Sequence, residues 1–158
     1  NINVNIFKLD DNIQTAAQMH CDKHVSKMIL ESAQMLCTSF WLNDQTAPYR
    51  PVHMKHPCTI WSAASLDNWL WLKDLLICLN EEFMWRYNKN VCHKSYDVIM
   101  SLPNPLIKSK GLQEHPQCMP DQYKVQGNAV EAYRNYYIGE KVFAKWTKRG
   151  KPSWYKIK

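Results

Sequence analysis

At 158 residues, with 46% hydrophobic and 22% charged side chains, the chain has the length and composition of one globular domain, because two halves would each bury only a marginal core. No apolar run approaches the roughly eighteen residues of a membrane span, and the opening Asn1-Ile2-Asn3-Val4-Asn5 lacks the basic and apolar regions of a signal peptide. These features predict an intracellular, cytoplasmic protein with no membrane partner, in the host-cell cytoplasm if it is viral. The net charge of +6 is segregated: Arg134 to Lys158 holds eight Lys/Arg against the single acid Glu140, so that segment carries +7 and the rest is close to −1. Basic charge interleaved with Tyr136, Tyr137, Phe143, Trp146, Trp154 and Tyr155 is the footprint of a nucleic-acid-binding edge, or else of a solvated basic tail.

In chain order, Ile2, Val4 and Ile6 alternate with polar residues and predict a short extended opening. Asp10, Asp11 and Asn12 then offer helix caps. From about Ile13 to Leu42 apolar residues recur at three and four, predicting a long helix bent near Cys21-Asp22 with one face in the core. A loop from Asn43 carries Arg50, His53, Lys55 and His56. Pro57 suits the first turn of a second long helix, periodic as far as about Asn88. A shorter helix is expected over Ser95 to Leu102, followed by a long irregular segment imposed by Pro103, Pro105, Gly111, Pro116 and Pro120. Asn128 caps a last helix to about Ile138. The expected class is mainly α: one compact domain over residues 1–158, built on two long helices with shorter ones and a Pro-rich irregular stretch.

Six cysteines without a CxxC or a secretory signal read as reduced thiols, Cys37 and Cys78 as small core residues. The densest chemical cluster is His20-Cys21-Asp22-Lys23-His24, then Lys27 and Glu31. On one continuous helix, positions 20, 24, 27 and 31 share a stripe. An amphipathic polar face is the plain explanation. However, Glu31 sits among Met28, Ile29, Leu30 and Ala33, where burial would raise its pKa toward that of a working acid or base. His20 and His24 also have the i, i+4 spacing of helical zinc ligands, which keeps a metal-dependent nuclease or hydrolase as a third reading. The preferred expectation is no metal and no cofactor.

The run Asp22-Lys23-His24-Val25-Ser26-Lys27-Met28-Ile29-Leu30-Glu31 resembles the first helix of the pyrimidine dimer DNA glycosylase family, the phage endonuclease V type, in which D-x-H precedes the catalytic glutamate by seven residues. His-Pro-Cys-Thr-Ile-Trp at 56–61, running into Trp69, Leu72, Leu76, Glu82 and Phe83, is similar to its central helix. Lys151-Pro152-Ser153-Trp154-Tyr155-Lys156 is similar to its C-terminal tail. Together these cover about 60 residues. The chain also resembles a group of phage proteins sharing N-I-F, H-C-D-K-H and A-Y-R-N-Y-Y.

The glycosylase resemblance implies attack of an α-amine on the deoxyribose C1′, loss of the base, a Schiff base and strand cleavage by β-elimination. Asn1 would supply the amine, Glu31 the proton transfers, and His24 would lie beside the sugar or phosphate. An α-amine suits this because its lower pKa leaves more of it neutral than a lysine. Where the family has arginines beside its glutamate this chain has Leu30 and Gln34, which moves phosphate contact to Lys23, Lys27, Arg50 or Lys55. The remaining DNA contacts would be His56, Lys145, Lys148, Lys151, Trp154, Tyr155 and Lys156. The expectation is a monomeric DNA N-glycosylase with AP lyase activity on double-stranded DNA carrying a pyrimidine dimer or modified base, without an obligate protein partner. The competing class is a non-enzymatic nucleic-acid-binding protein.

Overall fold

The computed structural model describes residues 4–156, so Asn1 lies outside the described residues. Six α-helices, α1 (Ile13–Met19), α2 (Asp22–Leu42), α3 (Pro57–Ala64), α4 (Leu66–Arg86), α5 (Lys94–Met100) and α6 (Ala129–Glu140), are joined by loops and one 3-10 turn, Asp121–Tyr123. No strand occurs among the described residues. The mainly α expectation holds, and the two long helices are α2 and α4, packed against each other. Met28, Ile29 and Leu36 of α2 and Leu72, Leu76 and Leu79 of α4 are buried in their common core. The Trp69 indole N–H donates to the Leu36 carbonyl at 3.0 Å, which satisfies the one polar atom of that fully buried ring.

Each long helical stretch read from the sequence is divided once. The first divides at His20-Cys21, where both residues are extended. There the Asp22 amide donates to the Lys145 carbonyl and the Cys21 amide to the Tyr137 hydroxyl, so the C-terminal segment takes bonds a continuous helix would have kept. The second divides at Ser65 (φ −152°, ψ 142°), whose hydroxyl caps Asp67 and also donates to the Gly111 carbonyl. The Leu66 amide donates to Lys108. Periodicity continues through both breaks because it records burial, and burial continues across them.

From Val4 to Asp10 the opening segment forms neither helix nor strand and packs into the core. Val4, Asn5, Ile6, Phe7 and Leu9 are all buried, and side chains from distant elements satisfy this backbone. His115 Nε2 bonds the Ile6 carbonyl and Arg134 Nε donates to the Leu9 carbonyl; in the reverse direction, Asn5 Nδ2 donates to the Cys118 carbonyl. The Pro-rich stretch after α5 is likewise pinned to α3 and α4, as in the bonds of Asn68 with Gln113.

Candidate functional site

The break at His20 takes His20 off the α2 face. It ends α1 with its ring turned back onto the Ala16 carbonyl at 2.7 Å, so His20 and His24 do not share a helical stripe. Neither belongs to a cluster of three metal-ligating side chains among the described residues. The helical zinc pair read from the sequence therefore loses its geometric basis.

His24, Lys27 and Glu31 remain together on α2. The Glu31 carboxyl is 12% exposed and lies 3.8 Å from Lys27 Nζ. Burial raises its pKa above the ordinary carboxylate value, while Lys27, the backbone amide of Asn5 and Lys141 favour the charged form and limit the rise. This is the environment that the apolar flanks of Glu31 predicted. His24 is buried, its ring stacked on Phe7 with centroids 4.6 Å apart and its Nδ1 2.6 Å from the Tyr137 hydroxyl. Burial, with His20, Lys141, Lys27 and Lys23 adding repulsion, lowers its pKa to about 2, so it acts as a neutral imidazole. A place beside a sugar or phosphate would therefore use the neutral imidazole of His24 rather than a cation.

Sequence reasoning missed the far wall of this site. Lys141 follows α6 and places its ammonium over the rings of Tyr136 (4.4 Å) and Phe7 (5.8 Å), close enough to Glu31 and His24 to act on both charges. Lys23 sits over Phe143 at 4.9 Å, and Phe143 packs edge-on against His24. The signal was present in Tyr133, Tyr136 and Tyr137, spaced to put aromatic rings on adjoining α6 positions. Nothing local tied them to α2.

The C-terminal segment is a strap over the α1–α2 junction and the end of α4. Asp22 accepts from Arg86, the Thr147 amide and the Thr147 hydroxyl. Arg149 forks onto Glu82 at 2.8 and 2.7 Å, and Lys148 donates to the Trp85 carbonyl at 2.6 Å. Tyr155 is buried, packs against Trp146 and donates to the Lys141 carbonyl; it is a core residue rather than an open stacking platform. Trp154 is half-buried, with Arg134 stacked on its ring and its N–H on Met19. Lys145, Lys151 and Lys156 are exposed and make no ion pair among the described residues. Of the basic residues of this segment proposed for DNA, those three keep their charge toward solvent, as Lys23 does on α2, whereas Lys148 is held by the Trp85 carbonyl and Asn88. Arg50 and Lys55 are exposed on the α2–α3 loop, and His56 is the N-cap of α3, its Nδ1 accepting from the Cys58 amide.

Comparison with family models, with curated proteins and with solved structures finds no match to this chain. The resemblance to the glycosylases therefore rests on its motifs and on the chemistry of the Glu31 site.

Proposed function

We propose that the Glu31 site is the acid–base centre of a DNA glycosylase with AP lyase activity. One observation carries the reading: a carboxyl whose pKa is raised by burial faces two amines, Lys27 and Lys141, beside the incoming N-terminal segment at Asn5. Schiff-base chemistry on a sugar needs that combination. An amine bonds to C1′ as the base leaves with the glycosidic electron pair and a proton. A nearby carboxyl then protonates the ring oxygen and later accepts the C2′ proton during β-elimination. A raised pKa makes the protonated half of that cycle easier to reach than it is for an exposed carboxyl.

Lys23, Lys145, Lys151 and Lys156 supply exposed positive charge for the duplex. His24, neutral and fixed by Tyr137, orients the site instead of contacting phosphate. Reduction with borohydride in the presence of abasic-site DNA is the decisive experiment. A covalent adduct formed by the wild-type chain and reduced at least tenfold in Glu31→Gln is expected. Tight binding with no adduct and no cleavage would establish the non-enzymatic nucleic-acid-binding class instead.

A further inference from the structure

The α3 N-terminus and the Pro-rich segment meet at a second cluster, which joins His56 and Cys58 of the 56–61 run to a cysteine outside it. His56 precedes α3, Cys58 is in its first turn, and Cys118 comes from the irregular stretch sixty residues later. One ring nitrogen of His56 and both sulfurs lie within 4.8 Å of one another, and the two sulfurs are 3.4 Å apart. We propose that His56, Cys58 and Cys118 bind one thiophilic divalent cation of the zinc type, a site that clamps the Pro-rich segment to the start of α3.

The dimensions suit that ion. Two thiolates each about 2.3 Å from a tetrahedral zinc stand roughly 3.8 Å apart, so the sulfurs need to separate by only a few tenths of an ångström. Two soft sulfurs and an imidazole are a zinc donor set, and they leave one tetrahedral position for water. His56 also caps α3 through Nδ1, which fixes the ring beside the two sulfurs.

The surroundings are those of a supported site. Asn5 Oδ1 lies 3.7 Å from the Cys58 sulfur and is itself held by the Ile6 amide and the Tyr133 hydroxyl. Asn5 Nδ2 holds the Cys118 carbonyl, and the Cys118 amide donates to Tyr133. Such outer partners fix ligand orientation before the ion arrives. Cys58 is fully buried, whereas His56 and Cys118 are half-buried, which gives the ion a route from solvent. The Cys58 thiol points at the Cys118 sulfur, so both ligand atoms already face the same point. Binding replaces two S–H bonds by two metal–sulfur bonds and releases two protons, with no change in oxidation state.

The test uses the full chain, stripped of metal and kept under a phosphine reductant. Titration with cobalt(II) should saturate at one equivalent, with a sulfur-to-cobalt charge-transfer band and the visible bands of a tetrahedral ion. Zinc should displace the cobalt and raise the thermal midpoint. Cys118→Ser should lose the charge-transfer intensity and the zinc-dependent shift, while Cys78→Ser keeps both. Should Cys118→Ser fail to fold, His56→Asn, which can still cap α3, should weaken cobalt binding at least tenfold. Absence of the band in wild type, or an unchanged band in Cys118→Ser or His56→Asn, would overturn the proposal. The outcome is independent of the glycosylase reading, since a site can clamp the fold of an inactive protein equally well.

Discussion

Glu31 is costly to the fold in its ionised form, because its folded pKa is raised by burial. Linkage fixes the sign: a carboxyl whose pKa rises on folding destabilises the folded state wherever it is ionised, and that cost disappears as pH falls through the raised value. Glu31→Gln should therefore unfold at the same temperature as wild type or higher, while cleavage at an abasic site falls by about 10² or more and DNA affinity changes by only a few fold. Loss of stability together with binding would show Glu31 to be a structural residue. Tyr137 should behave in the opposite way. Its hydroxyl serves His24 Nδ1 and the Cys21 amide inside the core, so Tyr137→Phe leaves two buried polar groups unpaired. We expect about 1–3 kcal/mol of destabilisation in urea unfolding, with no gain in melting temperature.

At the scale of elements, the sequence disclosed what is repeated along a helix and concealed what is assembled across helices. The apolar rhythm of α2 and α4 and the caps at Asn12 and Asn128 were legible because their causes lie within a few residues. The break at His20-Cys21 falls beside the bend read near Cys21-Asp22, whereas the break at Ser65 and the bonds from Lys145 and Lys108 that hold the two breaks were not legible, since those partners lie far along the chain. Glu31 could be singled out from its own flanks, whereas Lys141, 110 positions later, and the pairing of Cys58 with Cys118 could not. The same distance hid the use of the C-terminal cations. Arg86, with a side chain 1% exposed, donates to Glu82, Asp22 and the carbonyls of His20 and Gln18, so it ties the end of α4 to the α1–α2 break. Its planar fork of five N–H donors reaches four acceptors at once, more than the three donors of a lysine can serve. Arg86→Leu strands those acceptors in the interior and should cost on the order of 3–5 kcal/mol, read as a lower denaturation midpoint at unchanged m-value. A loss below about 1 kcal/mol would mean that Arg149 alone satisfies Glu82 and that the junction does not depend on Arg86.

For the whole molecule, buried histidines and unevenly used basic charge make opposite demands on solution conditions. Burial lowers the pKa of His20 and His115 to about 4 and of His24 to about 2, against 6.5 when unfolded. The unfolded chain therefore binds these protons first, and stability, complete above about pH 6.5, falls as pH drops toward 4. The slope should approach about 1.4 kcal/mol per pH unit for each buried imidazole. The raised carboxyls of Glu31 and Asp74 oppose this only near their own pKa values, so the melting temperature should decline steadily from pH 6.5 to pH 5. A flat profile there would mean that these imidazoles are not buried in solution.

Salt acts on the other charges, those the fold has left unpaired. The +7 segment spends Arg134 on Asp10, Arg149 on Glu82 and Lys148 on the Trp85 carbonyl, so both of its arginines hold the protein together. Lys145, Lys151 and Lys156 remain exposed and unpaired among the described residues, and within this segment they are the cations open to displace counterions from a duplex. Each phosphate contact contributes about 0.9 to the slope of log affinity against log salt. Replacing all three by Ala should flatten that slope by as much as about 2.7 without changing the melting temperature, since none of them carries an internal bond of the strap. Lys108→Ala with Lys110→Ala, two exposed cations of the Pro-rich segment, serves as the control and should leave the slope nearly intact. If the control flattens the slope as much as the triple variant does, the duplex lies against the Pro-rich segment, and the basic C-terminal segment is a structural strap alone.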